Sequence, residues 1–161
     1  MQFFQATRIG LTATPKAYLK NVNVERLAVD FIAGTSMGSI IGALHASGKL
    51  PSEIEHFILN KKVIDLFDFS ISKLGIEKTT KLKKALNEFM GVAKFEELKI
   101  PLYVNATDLS RGKEIVFSSG EIFPAIRASI AIPGVFSPQI SKDNDIYVDG
   151  GVLNNIPFSI L

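Results

Sequence analysis

The stretch from Phe31 to Gly48, FIAGTSMGSIIGALHASG, constrains the fold of this chain more than any other. Its centre, GTSMG at 34–38, fits the G-x-S-x-G nucleophile elbow, in which a serine sits on a sharp turn between a buried strand and a helix. Such a turn strains the backbone of the serine, here Ser36, and a side chain at either flank would collide with the neighbouring strand or helix. Glycine at positions 34 and 38 removes those collisions.

The residues on either side of the turn have the periodicities that an elbow requires. Leu27–Ala33 is largely apolar and is predicted to be the strand. Beyond the turn a helix is predicted, ending near Gly48, with these apolar residues at helical spacing: Met37, Ile40, Ile41 and Leu44. The Ser36 oxygen would then lie near a helix N-terminus, where free N–H groups and the macrodipole favour developing negative charge. Ser36 is therefore the candidate nucleophile, with Gly34, Met37 and Gly38 supporting the elbow and an oxyanion.

A membrane span is the competing interpretation of the same stretch. Gly34, Gly38 and Gly42 repeat at a spacing by which membrane helices pack together. However, the apolar run barely reaches the ~20 residues that a span needs. It contains several hydroxyl side chains and His45, and Asp30 closes one end. The elbow is the interpretation that these residues favour.

Composition excludes several classes of function. A chain of 161 residues with 47% hydrophobic and 21% charged residues is expected to form one globular domain. The net charge of +2 gives no reason to expect a nucleic-acid partner. The absence of cysteine excludes disulfides, zinc–thiolate sites and a thiol nucleophile, and it fits a reducing compartment. The first residues do not form a signal peptide, so a cytoplasmic location is expected.

The remaining elements suggest an α/β fold. Further helices are predicted at Pro51–Lys62, from Thr79 or Thr80 to Met90, and at Glu121–Ile132. Strands are predicted at Leu102–Thr107, Glu114–Phe117 and Asp145–Asp149, the first two forming a hairpin. This order favours a mostly parallel central sheet with helices on both faces. Ligands of such sheets gather at the C-terminal ends of the strands, where Ser36 and Asp149 both fall.

Three residues are candidates for the base that takes the proton from Ser36. His45 lies nine residues further along the same predicted helix, about 13 Å away, and is too distant. His56 lies on a helix with a polar face, and its spacing does not exclude it. Asp149 ends a strand and precedes Gly150 and Gly151, which permit close backbone approach. Asp-Gly is also a common turn dipeptide, so this pattern alone does not decide the role of Asp149.

The sequence resembles the patatin-like phospholipases, which are serine lipid acyl hydrolases that use a Ser-Asp dyad. The resemblance rests on GTSMG at 34–38, PLYVNATDL at 101–109, RASIAIPGVFSP at 127–138, and DGG at 149–151 with Asn154, Asn155 and Pro157 after it. It implies a patatin-like α/β fold for residues 1–161, expected to be a single domain truncated at both ends.

The resemblance also implies a chemistry. Ser36 would be the nucleophile and Asp149 its general base, acting through an acyl-enzyme on phospholipid or other fatty-acyl esters, with no metal and no cofactor. An aspartate of ordinary pKa, ~3.9, is a poor base. A dry, apolar pocket would raise its basicity. The residues that could supply such a pocket and hold an acyl chain, or simply form core, are Ile130, Ile132, Val135 and Phe136.

Two departures from the family keep a second function open. The family's N-terminal glycine-rich loop, which holds the oxyanion, is absent here, and only Arg8 and Gly10 could be its remnant. Losing one oxyanion donor costs ~10² to 10³ in turnover.

The apolar ending Phe158–Leu161 would need to be covered by other protein surface, so self-association is expected. The alternative is a catalytically impaired protein that binds lipid or a partner, and the basic segment Lys78–Lys84 suggests peripheral membrane contact or a solvated helix face.

Overall fold

The fold is α/β, as the order of elements predicts. A computed structural model describes residues 29–60, 76–157 and 160. Within them the helices are α1 Met37–Ala46, α2 Pro51–Leu59, α3 Ile76–Met90 and α4 Ile122–Ser129. The strands are β1 Ile32–Thr35, β2 Leu102–Asp108, β3 Lys113–Phe117, β4 Gln139–Ile140 and β5 Ile146–Asp149. Short 3₁₀ turns occupy Phe95–Glu97 and Gly150–Val152.

The sheet is mixed, whereas the sequence predicted a mostly parallel one. In the described part of the chain only β1 pairs parallel with β2, while β3 and β5 pair antiparallel with β2, and β4 pairs antiparallel with β5. The reason is the length of the connections. A four-residue turn joins β2 to β3 and five residues join β4 to β5, both too short for the crossover that parallel strands need. The predicted β2–β3 hairpin is confirmed.

Strand β2 brings β1 and β5 end to end. Strand β3 covers Val104–Asp108 along one edge of β2. Because a strand has only two edges, β1 and β5 must share the other one. Thr35, the last residue of β1, lies opposite Asn105, and Asp149, the last residue of β5, lies opposite Ala106. The carboxyl ends of these two oppositely directed strands therefore meet at the middle of β2.

Several element boundaries differ from the predicted ones. Strand β1 runs to Thr35 and so reaches Ser36 directly, whereas the apolar pattern placed its end at Ala33. Helix α3 is already formed at Ile76, so the predicted caps Thr79 and Thr80 lie inside it. Apolar periodicity locates helices and strands well, but their ends depend on tertiary contacts that override local preference.

Helix α1 lies at the centre of the core. Eight of its ten residues are buried, and it packs against β1, β2 and the helices around it. The largest fully buried apolar side chains come from α1, the other helices and the strands, and include Ile32, Ile40, Leu44, Ile54, Leu82, Leu86, Ile122 and Ile126. Full burial of one such side chain contributes about 1.5–3 kcal/mol, so the buried side chains of α1 anchor the elbow helix in the core.

The stretch 31–48 is divided into a four-residue strand, a turn and a ten-residue helix. Across the residues that the structure describes, no helix has both the length and the apolar character needed to cross a bilayer.

Candidate active site

Ser36 forms the turn between β1 and α1 with a strained backbone. Its φ is 53° and its ψ is −126°. A positive φ is rare for a residue with a side chain, and strain of this kind costs about 1–3 kcal/mol. The strained geometry predicted for the elbow is therefore present. It can persist only because the surrounding structure holds it.

Hydrogen bonds satisfy both backbone polar groups of Ser36. Its N–H donates to Ser129 Oγ at 2.8 Å. Its carbonyl oxygen accepts from the N–H of Ser39 at 2.9 Å and from Ser39 Oγ at 2.6 Å. Ser39 and Ser129 are both completely buried. The elbow is thus held by α1 on one side and by the end of α4 on the other.

Glycine is required at position 34 because two backbone segments approach each other there. A Cβ built on Gly34 would lie 2.6 Å from the carbonyl oxygen of Gly38 and 2.8 Å from Cα of Ser39. Both atoms belong to the first turn of α1, so no side-chain rotation could relieve the clash. The collision predicted at this flank is confirmed.

The hydroxyl of Ser36 is hydrogen-bonded to a carboxylate. Ser36 Oγ donates to Asp149 Oδ2 at 2.6 Å. The second carboxylate oxygen, Asp149 Oδ1, accepts the N–H of Gly151 at 2.7 Å, and the backbone N–H of Asp149 donates to the carbonyl of Ala131 at 2.9 Å. Ser36 and Asp149 are 9% and 5% exposed. The chain thus brings together two residues that are 113 positions apart.

Burial raises the pKa of the Asp149 carboxyl above its ordinary value. The hydrogen bonds from Ser36 and Gly151 act in the opposite direction and stabilise the carboxylate, but burial is the larger effect. A raised pKa makes the carboxylate a stronger base than an aspartate in water. An increase in the pKa of Asp149 favours direct transfer of the serine proton to its carboxylate.

The two glycines after Asp149 lie where side chains would collide. A Cβ on Gly150 would be 2.7 Å from the backbone oxygen of Asn105, and one on Gly151 would be 3.0 Å from Oδ1 of Asp149. Gly150 thus lets the chain pass close to β2, and Gly151 leaves room for the carboxylate that its own N–H holds. The close backbone approach predicted after Asp149 is present at Gly150, whereas the atoms nearest Gly151 are side-chain oxygens of Asn155 and Asp149.

A polar network fixes the middle of β2 beneath the two strand ends. Asn105, which is completely buried, accepts from Thr35 Oγ1 at 2.6 Å. Its amide nitrogen donates to the carbonyl of Asn154 and to Glu114 Oε1, both at 2.9 Å. Asn154 Nδ2 also donates to Glu114 Oε1 at 2.9 Å. One amide therefore ties the end of β1, strand β3 and the segment after Asp149 together.

The first backbone N–H groups of α1 have no hydrogen-bond acceptor within the helix. The helix starts at Met37, and Ser39 makes the first backbone bond of this turn, to the carbonyl of Ser36. The N–H groups of Met37 and Gly38 therefore have no acceptor within the helix. Together with the helix macrodipole they are suited to stabilise an anion beside Ser36.

The other predicted site residues that the structure describes take no part in the hydrogen bonds described above for Ser36 and Asp149. His45 lies in the last turn of α1, a helix length from Ser36, and His56 is exposed on α2. Arg8 and Gly10, the candidate remnant of the oxyanion loop, lie outside the described residues. Of the four apolar residues suggested to line a pocket, two are buried, one is partly buried and Val135 is 44% exposed.

Two contacts of the site were not predicted from the sequence. Ser129 and Asn105 hold the elbow and the strand ends, but they lie 93 and 70 positions from the residues that they contact. The sequence marks Ser129 and Asn105 only by their position in the segments RASIAIPGVFSP and PLYVNATDL, which carry the family resemblance. Local patterning does not distinguish such residues from ordinary core serines and asparagines.

Comparison with known proteins gives a consistent result. The family model described as patatin-like phospholipase matches residues 16–161. An uncharacterised NTE family protein of Mycobacterium tuberculosis is 40% identical over 131 residues, which are 80% of this chain and 36% of that protein. The protein named neuropathy target esterase sws of Drosophila melanogaster is 23% identical over 150 residues, 89% of this chain and 10% of that protein. The chain thus spans only about a third, or less, of the length of these relatives.

Proposed function

The chain belongs to the family of patatin-like phospholipases, and on this basis we propose that it is a lipid acyl hydrolase in which Ser36 and Asp149 form the catalytic dyad. The proposed substrates are phospholipids, lysophospholipids or other fatty-acyl esters. The observation that carries the proposal is the 2.6 Å hydrogen bond from Ser36 Oγ to Asp149 Oδ2 at a strained strand–helix turn. A serine hydroxyl bonded to a buried carboxylate is the arrangement that nucleophilic catalysis needs.

Acylation begins when Ser36 Oγ attacks the ester carbonyl. As the new C–O bond forms, the hydroxyl proton moves to Asp149 Oδ2, with which it is already hydrogen-bonded. The carbonyl oxygen becomes an oxyanion, and the N–H groups of Met37 and Gly38 are the proposed donors to it. Collapse of the tetrahedral intermediate breaks the ester C–O bond. The leaving alcohol or lyso-lipid takes the proton from Asp149, and the fatty acyl group stays on Ser36.

Deacylation repeats these steps with water. Asp149, ionised again, accepts a proton from a water molecule that attacks the acyl carbonyl. The second tetrahedral intermediate expels Ser36 Oγ, which regains the proton, and the fatty acid leaves. Gly151 supports both halves of the cycle, because its N–H holds Asp149 Oδ1 and keeps Oδ2 directed at the serine.

The proposal is tested by fluorophosphonate labelling followed by intact-mass analysis. Wild type is expected to gain one adduct, on Ser36, while Ser36→Ala and Asp149→Asn stay unlabelled although folded. Fatty-acid release from phospholipid and lysophospholipid vesicles should follow the same order. Ser47→Ala is the matched control, because Ser47 is a buried serine at the opposite end of α1 whose hydroxyl bonds to the carbonyl of Leu44.

Ester turnover that persists in Ser36→Ala would refute the proposal that Ser36 is the nucleophile. A folded wild type that binds lipid, takes up no label and releases no fatty acid would favour the non-catalytic lipid-binding alternative instead.

A further inference from the structure

The segment at the end of α4 contacts the backbones of both Ser36 and Asp149. Ser129, the last residue of α4, accepts the N–H of Ser36 at 2.8 Å. Two residues later, the carbonyl of Ala131 accepts the N–H of Asp149 at 2.9 Å. Ser36 follows β1 and Asp149 ends β5, so this short segment is a shared support for two elements that are distant in sequence.

We propose that Ser129 is a positioning residue, whose hydroxyl holds the backbone of Ser36 in its strained conformation and so keeps Ser36 Oγ at hydrogen-bond distance from Asp149. This inference rests on the proposed hydrolase function, in which that hydrogen bond is used.

The strain at Ser36 explains why this contact matters. With φ at 53°, the Ser36 backbone would relax toward an ordinary conformation if its amide lost its acceptor. Rotation about φ and ψ changes the direction of the Cα–Cβ bond, so the hydroxyl would turn away from the carboxylate. Ser129 Oγ is the acceptor for that amide, and it is completely buried, so water cannot readily replace it.

The segment from Ser129 to Ala131 is itself held by hydrogen bonds. After α4, Ile130 N–H donates to the carbonyl of Ile126 at 2.9 Å and Ala131 N–H to that of Ala128 at 3.2 Å, so the helical bonding continues beyond Ser129. Arg127, which is 7% exposed, donates from Nη2 to the carbonyl of Ser137 at 2.8 Å and ties α4 to the following loop. The spacing between the two contacts is therefore set by a continuous hydrogen-bonded turn.

The test compares Ser129→Ala with Ser47→Ala, which also removes a buried hydroxyl but at the far end of α1. Fluorophosphonate labelling of Ser129→Ala is expected to be 10- to 100-fold slower than wild type, with kcat for an ester lowered more than KM is raised. Ser47→Ala should label within threefold of wild type.

A pH profile separates positioning from general loss of packing. Among the described residues, the causes that act on the Asp149 pKa are burial, Ser36 and Gly151, with no charged side chain among them. The Ser36 hydrogen bond lowers that pKa, so weakening it in Ser129→Ala should move the acid midpoint of labelling to higher pH. A variant that is merely less well packed elsewhere would keep the wild-type midpoint.

A third readout does not depend on activity. Hydrogen exchange of the Ser36 amide, followed by NMR, should be at least tenfold faster in Ser129→Ala and unchanged in Ser47→Ala. If Ser129→Ala does not fold, Ser129→Cys takes its place, since sulfur is a weaker acceptor and the chain has no other cysteine. Its labelling is expected to be slower than that of wild type, with the same upward shift of the midpoint.

The outcomes are distinguishable. Wild type that labels, together with Ser129→Ala that labels equally fast at an unchanged midpoint, would overturn the positioning role and leave the hydrolase proposal standing. A wild type that does not label would overturn the hydrolase proposal, and the exchange rate of the Ser36 amide would then decide the inference about Ser129. Unchanged exchange would refute it.

Discussion

Replacing Gly34 by alanine tests whether the spacing of strand and helix sets both the stability and the reactivity of the elbow. The added Cβ would lie 2.6 Å from the Gly38 carbonyl oxygen, whereas ordinary contacts begin at 3.4 Å. The backbones of β1 and α1 must therefore separate by about 0.8 Å. Neither backbone can yield as a side chain would, because both are buried in the core.

Two effects of Gly34→Ala are expected from that displacement. Overpacking of this kind costs about 1–3 kcal/mol in the free energy of unfolding. For a chain of this size each kcal/mol lowers Tm by about 2–4 °C. A misplacement approaching 1 Å at a reacting group costs about 10²-fold in rate, so fluorophosphonate labelling of Ser36 should slow by roughly that factor. Thermal unfolding and labelling kinetics measure the two effects separately.

Gly42→Ala is the matched control on the same helix. There the added Cβ would lie 3.1 Å from Ile32 Cγ2 and 3.2 Å from Leu102 Cδ1, which are side-chain rather than backbone atoms and need to shift by only a few tenths of an ångström. Alanine also favours a helix over glycine by ~1 kcal/mol. Labelling within threefold of wild type and little change in Tm are expected. Equal labelling rates and equal Tm values for Gly34→Ala and Gly42→Ala would show that the close approach at Gly34 sets neither stability nor reactivity.

Two further predictions concern the raised pKa of Asp149. First, labelling should fall at acid pH with a midpoint above ~3.9, since protonated Asp149 cannot accept the proton of Ser36; a midpoint at or below that value in a rate–pH profile would contradict the raised pKa. Second, Asp149→Asn should unfold at higher denaturant concentration than wild type near pH 7, although no labelling of this variant is expected. Because the pKa of Asp149 is raised in the folded state, this carboxyl stabilises the fold most when protonated, and its contribution is lost as pH rises through the folded-state pKa. The two proteins should become equally stable below the ordinary aspartate pKa, and a variant less stable than wild type at pH 7 would show that the hydrogen bonds to the carboxylate outweigh its burial.

The elbow could be predicted from sequence because its determinants are local. An apolar strand, a serine between two glycines and an apolar helix lie within 22 residues, and steric rules for each are independent of the rest of the chain. The same holds for the β2–β3 hairpin, whose turn chemistry lies between its strands.

The sequence pattern alone leaves the role of Asp149 open, and its pairing with Ser36 is what the family resemblance implies. The reason expected for the proximity of the two residues differs from the one in the structure. The sequence suggested that both residues lie at the C-terminal ends of parallel strands. In the structure β5 is antiparallel to β2, and the two residues meet because β1 and β5 share one edge of that strand. Strand direction depends on connection length and on register, which no local pattern reports.

The residue types and their local spacing therefore set the chemistry available to this protein: one serine in an elbow, no thiol, and an aspartate followed by two glycines. Tertiary packing sets the distance between that serine and aspartate, the burial that raises the pKa of the carboxyl, and the hydrogen bond that Ser129 accepts from the strained amide. Residue type and steric preference act within a few positions, whereas burial and hydrogen bonds between segments 93 and 113 residues apart exist only after the sheet and helices have packed.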